Sequence, residues 1–374
     1  MRIGMIAPIS HPYPPPGYGP WERVTHDLTE QLVARGHDVT LYAAADSKTH
    51  ARLFPTVDRS LETLPAEQRQ DVEDRHIAAA LDHARKQDFD VIHSHLHIHV
   101  LRHVGQDPLP VLTTLHGSAW NTDHHQVLRQ HAWRPYVSLS NRERDYLPEL
   151  NYVATIGNGI HVEAFPPGDG DGGYLAFVGR VAPEKAPHLA IETARRSGLP
   201  LLMAGVIEDA HLEYAKQILR EAGPGVDILG ALNRGDTAML LRGAASLVMP
   251  LLWDEPFGLV VVESLSSGTP VIAWRRGSMP EIIDDGETGF LVDDVDQAVS
   301  AVTRIRSISR AACARAARER FSDVVMAAAY EEVYRQVSGH RVQDVVERGD
   351  GDLDGVVGIA ERGDQIPRVN QAPA

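Results

Sequence analysis

Short apolar runs alternate with amphipathic segments along most of this chain. An apolar run at 2–7 is followed by a segment at 21–35 with apolar residues at helical spacing, and a second apolar run lies at 38–44. Gly36 ends the segment between the two runs, as glycine commonly does after a helix. A strand, a helix and a strand in this order form a βαβ unit, so the pattern predicts a parallel sheet.

The alternation continues on both sides of residues 165–174 (FPPGDGDGGY), whose proline, glycine and aspartate content predicts a linker. In the first half, further strands are predicted at 91–93, 111–115, 137–139 and 152–156, and a helix at 70–87. In the second half, strands are predicted at 175–178, 201–204, 226–229, 247–249, 271–273 and 290–292, and helices at 186–197, 208–222, 235–244, 257–267 and 295–308. The chain is therefore predicted to be an α/β protein with two doubly wound, Rossmann-like parallel-sheet domains, at 1–166 and 167–337, that face each other across a cleft.

Two segments need a choice between structures. The β-branched residues of 259–265 (LVVVESL) favour a strand. We predict a helix there, because the strands on either side need a crossover between them and because Pro256 suits a first helical turn. Residues 338–374 contain no aromatic residue and are predicted to be a disordered tail, and the last helix before them is a candidate to pack back on the first domain.

Composition narrows the class of protein. The net charge of −15 argues against non-specific binding of nucleic acid, which requires basic surface. The single cysteine, Cys313, excludes an internal disulfide. The N-terminal residues do not form a signal peptide, and no stretch approaches the roughly 18 apolar residues of a membrane span. We expect a cytoplasmic protein without an integral membrane segment.

Two cations follow the first strand of the second domain. Arg180 and Lys185, in GRVAPEK, lie just beyond the predicted carboxyl end of that strand. An arginine fork and a lysine point charge at this position can neutralise a diphosphate. The alternative interpretation is an exposed loop pair beside Glu184.

Two glutamates flank the predicted start of the helix at 257–267. Glu255 and Glu263 are eight residues apart in EPFGLVVVE, which corresponds to about 12 Å along a helix and to the length of a nucleotide sugar from ribose to sugar. Free N–H groups at a helix N-terminus bind phosphate, and Gly258 permits a close approach to the backbone. The alternative is an acidic N-cap at Glu255 and a solvated Glu263.

The first domain has weaker signals. The loop GYGPWE at 17–22 is not a dinucleotide fingerprint, because Glu22 replaces its third glycine. His116 follows the strand VLTTL at a position facing the cleft, and a polar loop histidine is the alternative. The histidines of 93–103 alternate as they would on one face of a strand, but zinc sites usually draw ligands from several segments, so we predict no metal site. We interpret the run instead as a strand end and loop with some polar groups facing the cleft.

The order and spacing of these motifs resemble the family 4 retaining glycosyltransferases (glycosyl transferases group 1), which have the GT-B architecture. The resemblance extends from residue 1 to about 335 and includes DVIHSH, TTLHG, FVGRVAPEK, PLLWDEPFGLVVVESLSSGTPVIAW and RRGSMPEIIDDGETGFLV. It implies that Arg180 and Lys185 bind the donor diphosphate, that Glu255 holds hydroxyls of the donor sugar and that Glu263 binds the ribose.

The resemblance also implies backbone contacts and a catalytic set. The backbone N–H groups of Phe257, Gly258 and Leu259 are expected to face the phosphates, and Gly19 matches the first glycine of the family's pair in the first loop. Pro20 replaces the second glycine, lacks an N–H and changes what this loop offers a ligand. His116, expected near the reacting sugar, joins Glu255, Arg180 and Lys185 as the predicted catalytic residues.

The predicted activity is transfer of a hexose-type sugar, with retention, from a nucleoside-diphosphate sugar, most simply a UDP-sugar, to an unidentified hydroxyl of a small-molecule, glycan or lipid acceptor. Neither a metal ion nor another cofactor is expected. A GT-B nucleotide-sugar epimerase or phosphorylase and a two-lobed binding protein without catalysis are the alternatives. A two-domain oxidoreductase is more distant, since no dinucleotide fingerprint is complete.

Overall fold

The computed structural model describes residues 1–349, except for the side chains of Ala66 and of residues 340–349. The strands of the first half are β1 (Arg2–Ile6), β2 (Asp38–Ala44), β3 (Arg52–Val57), β4 (Val91–Ser94), β5 (Val111–Thr114), β6 (Tyr136–Ser138) and β7 (Tyr152–Thr155). Its helices are α1 (Pro20–Ala34), α2 (Ala66–Ala84), α3 (His97–Val104), α4 (His125–Gln130) and α5 (Asn141–Arg144).

The second half repeats this organisation. Its strands are β8 (Leu175–Val178), β9 (Leu201–Ala204), β10 (Val226–Gly230), β11 (Ser246–Met249), β12 (Val271–Trp274) and β13 (Gly289–Val292). Its helices are α6 (Pro187–Ser197), α7 (Leu212–Glu221), α8 (Arg234–Gly243), α9 (Leu259–Ser266), α10 (Met279–Ile282), α11 (Val295–Arg304), α12 (Arg310–Phe321) and α13 (Asp323–Gly349).

Two parallel sheets organise the molecule. The first has the strand order β3-β2-β1-β4-β5-β6-β7 and the second β10-β9-β8-β11-β12-β13. The order reverses direction between β1 and β4 in one sheet and between β8 and β11 in the other, and ligands of doubly wound sheets bind at such points. The inner strands β4, β5, β11 and β12 are buried along their whole length, because helices cover both faces of the sheet. The predicted α/β class with two Rossmann-like domains is confirmed.

The helix assigned to LVVVESL is present as α9, but it begins later than predicted. Gly258 has φ +88°, outside the right-handed helical region, so the helix begins at Leu259 and Pro256 lies in the preceding loop rather than in the first turn. Only part of the segment from Glu255 to Glu263 is therefore helical, and the estimate of about 12 Å for a continuous helix does not apply.

One strand of the first domain differs from the prediction. The edge strand β3 was not predicted, because Pro55 interrupts an apolar run that is only partly buried at the rim of the sheet. The histidine run leaves the strand end as predicted and then enters a helix that was not predicted: β4 ends at Ser94 and α3 begins at His97.

The last helix returns to the first domain. Tyr334 of α13 bonds His93 at 2.7 Å between Oη and Nδ1, and Tyr330 bonds Thr114 at 2.8 Å. The helix continues to Gly349, past residue 338 where the sequence predicts a tail to begin, because 338–349 contain helix-forming residues and no proline. The rest of that predicted tail, 350–374, lies outside the described residues. Within the described chain, no helix is long and apolar enough to cross a membrane.

Candidate active site

The carboxyl ends of the central strands of both sheets face one cleft. Loops 179–186 and 250–258 enter it from β8 and β11, and loops that follow β1, β4 and β5 enter it from the first domain. The described chain has three non-glycine residues with positive φ: His116 and Ala186 lie in these loops, and His97 is the first residue of α3, directly after the β4 loop. Such backbone strain, about 1–3 kcal/mol per residue, is concentrated at functional sites.

The predicted diphosphate-binding cations lie side by side on the loop after β8. Arg180 donates from Nη1 to Glu208 and from Nη2 to Glu184, each at 2.9 Å. Lys185 donates to Glu255, its side chain is only 12% exposed, and its Nζ lies 4.8 Å from the centre of the Trp253 ring. Lys185 is therefore not an exposed loop residue. It lies on the loop after β8 and contacts Glu255 and Trp253 on the loop after β11, where the strand order reverses.

Glu255 connects this cation to the start of α9. Its carboxylate accepts from Lys185 and, at 3.0 Å, from Trp253 Nε1, and its carbonyl accepts from Ser278 N at 3.0 Å. Gly258 is the N-cap of α9, and its φ of +88° is left-handed, as glycine permits. In the described chain the N–H groups of Gly258, Leu259 and Val260 have no protein acceptor, so they are available for an anion.

The backbone N–H of Phe257, which is also predicted to face the phosphates, likewise has no protein acceptor in the described chain. Phe257 precedes the N-cap, its ring is buried against Phe321, and its carbonyl accepts from Ser278 Oγ at 2.7 Å. Gly258 and Leu259 keep the predicted position at the start of α9, and Val260 joins them.

Glu263 lies one turn into α9 beside charges from both domains. Arg234 of α8 and Arg23 and Asp27 of α1 are its charged neighbours. Burial raises the pKa of the Glu263 carboxyl to about 7, because desolvation of the charged form outweighs the two arginines. No hydrogen bond to its carboxylate is found among the described residues, so both oxygens can accept from ligand hydroxyls.

His116 lies two residues after the end of β5, in a left-handed conformation with φ +48°. Burial holds the pKa of the imidazole well below its usual value, so the ring is neutral. Gly117 follows with φ +92° and packs so tightly on Pro256 of the other domain that a side chain there would collide with the proline. The His116 loop and the Glu255 loop therefore touch.

A buried glutamate that was not predicted from the sequence holds the His116 loop. Glu143 of α5 accepts from Gly117 N at 2.6 Å and from Leu139 N at 2.9 Å. Burial raises the pKa of its carboxyl to about 7. The spacing of Ser140 and Glu143 matches a helix capping box. This local role explains the glutamate in the sequence, so its contact with Gly117 could not be predicted.

The start of α1 places an aromatic side chain beside the histidines of the cleft. Gly19 is the N-cap of α1, and Pro20 is the first helical residue, where the missing N–H removes no helical hydrogen bond. Trp21 follows, 43% exposed, with its ring centre 4.6 Å from that of His97 and 6.3 Å from that of His116. A tryptophan at this position gives no recognisable signal in the sequence.

The two domains are joined beside Glu255. Asp254 accepts from Arg142 Nε at 2.9 Å and from Tyr146 Oη at 2.5 Å. The Glu281 carboxylate accepts from the backbone N–H groups of Asn141 and Arg142 at 2.8 and 3.0 Å. These contacts fix the loop that carries Glu255 to the first domain.

Two family models match the chain in succession. Residues 21–163 match "Glycosyltransferase Family 4" and residues 164–322 match "Glycosyl transferases group 1". Together they cover residues 21–322 without a gap.

Curated relatives match over part of their length. A D-inositol 3-phosphate glycosyltransferase of Mycobacterium leprae is 33% identical over 228 residues, 50% of this chain and 51% of the relative. The Mycobacterium tuberculosis protein of the same name is 30% identical over 241 residues, 56% of this chain and 49% of the relative. The matched region thus spans about half the length of these relatives.

Solved structures share the fold over nearly the whole chain. Sucrose-phosphate synthase from Thermosynechococcus elongatus has a TM-score of 0.75 at 20% identity and covers 91% of this chain and 100% of its own. Anabaena HepE in complex with UDP and glucose has a TM-score of 0.69 at 17% identity, and the alignment covers 90% of this chain and 100% of HepE. With the two family matches and this shared GT-B fold, the chain belongs to the family 4 glycosyltransferases and is a transferase.

Proposed function

We propose that this protein transfers a hexose-type sugar from a nucleoside-diphosphate sugar to a hydroxyl acceptor, with retention of the anomeric configuration and without a metal ion or another cofactor. The observation that carries the proposal is the bond from Lys185 to Glu255, three residues before the cap of α9, where the first N–H groups of the helix have no acceptor in the described chain; Arg180 lies on the same loop as Lys185. Cations close to a helix N-terminus form a binding site for a diphosphate.

The reaction breaks the bond between the anomeric carbon and the phosphate oxygen and forms a bond to the acceptor oxygen on the same face of the sugar. The acceptor proton passes to the leaving diphosphate. Arg180, Lys185 and the α9 amides stabilise the negative charge that gathers on that diphosphate, which is catalysis by preorganised electrostatics.

The carboxylate partners of these cations have a role before the donor binds. Glu184, Glu208 and Glu255 keep the arginine and the lysine neutralised and in place. A diphosphate can take over Lys185, which frees Glu255 to accept from sugar hydroxyls, while Glu263 accepts from the ribose. Glu255 then binds the sugar and forms no covalent bond to it.

UDP-glucose is the first donor to test. Anabaena HepE, which shares the fold of this chain, has been solved in complex with UDP-glucose. The mycobacterial relatives are D-inositol 3-phosphate glycosyltransferases, which places a ring hydroxyl among the acceptors to test.

A thermal-shift panel of nucleoside diphosphates and their sugars tests the donor. A ligand that binds only the folded state stabilises it by about 2.7 kcal/mol at one hundred times its Kd. We expect one nucleotide sugar to raise the Tm most, and NMR of the transfer product to show the donor's anomeric configuration. An excess of chelator should leave turnover unchanged.

Four results would overturn the proposal or part of it. If no nucleotide sugar raised the Tm, the donor assignment would be wrong. An inverted product would refute retention, and activity lost to chelator and restored by a divalent ion would refute independence of metal. Release of an epimerised nucleotide sugar without acceptor would identify an epimerase instead.

A further inference from the structure

A cluster of buried histidines lies on the first-domain side of the cleft, beyond the set that the donor reaction uses. His93, His95 and His97 come from the end of β4 and the start of α3, and His116 comes from the end of β5. Their exposed fractions run from 0% to 9%. The proposed donor site accounts for His116 alone.

The nitrogens of this cluster are not all satisfied. His93 uses both nitrogens, on Tyr334 and Thr114. His95 Nδ1 pairs with His116 Nε2 at 2.8 Å, and His97 Nδ1 bonds the Leu115 carbonyl at 2.7 Å.

Three nitrogens are left over: His95 Nε2, His97 Nε2 and His116 Nδ1 are buried without a partner in the described chain. Because His97 Nδ1 donates to a carbonyl, His97 Nε2 carries a lone pair that needs a donor. Buried polar atoms without partners are costly, so three of them in one place call for a hydrogen-bonding partner from outside the described chain.

Trp21 forms the exposed wall of this cluster. Its ring lies edge-on to His97, with centres 4.6 Å apart, and close to His116. It is one of the large apolar side chains left exposed, at 43%, at the mouth of a cleft. An indole in such a position offers a ligand a flat apolar surface.

The cluster is electrically neutral. No hydrogen bond or ion pair of the described residues joins its four imidazoles to a carboxylate, a lysine or an arginine. Burial lowers the pKa of His93 to about 3 and that of His97 to about 4, so these rings carry no charge. No group of three or more described histidine, cysteine or acidic residues has the geometry to hold a metal ion.

We propose that Trp21, His95 and His97, together with His116, form an acceptor site for an uncharged polyhydroxylated ring, a sugar or a cyclitol. The ring packs its face on Trp21, and its hydroxyls bond the unpartnered imidazole nitrogens. Hydroxyls suit this site because they both donate and accept, whereas a phosphate group would lose its hydration without gaining a cation. The assignment rests on the proposed glycosyl transfer, since it supplies the acceptor for that reaction.

The test compares neutral rings with their monophosphates. Glucose, methyl glucoside and inositol, each beside its monophosphate, are titrated into the full chain with and without saturating UDP, and binding is followed by ligand-observed NMR. Variants W21A and H97A are compared with W21F, which keeps an aromatic ring, and with W133A. Trp133 is a matched control: it is 53% exposed and precedes β6, at the sheet edge opposite the cleft.

We expect a neutral ring to bind the wild type more tightly than its monophosphate does. We expect W21A and H97A to weaken that binding about tenfold, and W21F and W133A to change it less than about threefold. Tighter binding of the monophosphates, no binding of any neutral ring, or equal binding by wild type and W21A would each overturn the inference.

UDP-glucose titration separates this inference from the donor assignment. If UDP-glucose binds every variant equally while the rings fail the test, only the acceptor site is wrong. If UDP-glucose does not bind the wild type, the proposed function fails, whatever the rings do.

Discussion

Lys185 and Glu255 illustrate how single side chains prepare the donor site. Both are mostly buried, at 12% and 13% exposure, and each is the other's partner. An unpaired charge buried this deeply would have a high desolvation cost. The Lys185–Glu255 pair, to which Trp253 also donates, avoids that cost until an anion binds. A diphosphate can then take over the lysine and free the glutamate for the donor sugar.

Replacing Lys185 by alanine should mainly affect the reaction. The variant loses the point charge on the leaving diphosphate, and we expect kcat/KM for the donor to fall by about 10²–10³, as for the loss of one preorganised transition-state contact. Steady-state kinetics with the best nucleotide sugar measures the fall. Lys216→Ala on α7, which removes a half-exposed lysine paired with Glu213, is the control and should be neutral. A Lys185→Ala variant within threefold of wild type would contradict this role.

Glu263 should make stability depend on pH. Burial raises the pKa of this carboxyl to about 7, so the folded state holds its proton more tightly than the unfolded chain does. Its destabilising effect is absent below the unfolded pKa near 4.5 and complete above pH 7, with an upper limit of about 3 kcal/mol. Glu263→Gln should therefore gain stability over wild type as the pH rises from about 5 to about 8.

Denaturant unfolding at several pH values measures this gain. Glu319→Gln, at an exposed position of α12, should run parallel to wild type. A difference between Glu263→Gln and wild type that stays constant with pH would show that the carboxyl is not perturbed.

Helix α9 and its cap form the part of the site that backbone geometry creates. Gly258 adopts a left-handed conformation, turns the chain out of the Glu255 loop and leaves the first amides of α9 unpaired. The neighbouring strands β11 and β12 require a crossover, and α9 supplies it. The Gly258 cap therefore ends the Glu255 loop and exposes the backbone N–H groups that can bind the diphosphate.

Gly258→Ala should separate stability from activity. Alanine in a left-handed conformation costs about 1–2 kcal/mol, and the added Cβ would lie 2.9 Å from Met279 Cε. Gly198→Ala imposes a similar strain at the end of α6, with φ +71° and open space around it. We expect similar losses of stability in the two variants and a fall in kcat/KM of about tenfold or more only in Gly258→Ala. Equal activity of the two would show that the α9 amides do not contact the donor.

The closed arrangement of the two domains depends on contacts next to the site. Arg142 and Tyr146 hold Asp254, the neighbour of Glu255, and the α13 helix returns from the second domain to pack on the first. Substrate must enter this cleft, so the contacts have to be strong enough to close it and weak enough to open.

Arg142→Ala should loosen closure without unfolding either domain. The arginine is 47% exposed and its partner Asp254 is 19% exposed, so we expect KM for the donor to rise about three- to tenfold, with a smaller change in kcat. Small-angle scattering should show a larger radius of gyration for the variant. The control is Arg129→Ala, which breaks the exposed pair with Glu149 inside the first domain. It should alter neither KM for the donor nor the radius of gyration. An unchanged KM for Arg142→Ala would refute the role in closure.

The alternation of apolar and amphipathic segments was sufficient to predict two parallel-sheet domains, most of their strands and the helix α9. It also placed Arg180, Lys185, Glu255 and His116 at strand ends, because topology carries every such end to the cleft. Local patterns set these features, since periodicity reports which residues face a core.

Contacts between distant segments required the folded molecule. Arg142 and Asp254 are 112 residues apart along the chain, and no periodicity pairs them. The sequence predicted Trp21 as a helix residue and the histidine run as a strand end and loop. Only the packing shows that Trp21 lies against the histidines and that three of their nitrogens have no partner in the described chain. Side-chain partners across a cleft follow from the docking of two domains, and the order of residues within either domain does not contain that information.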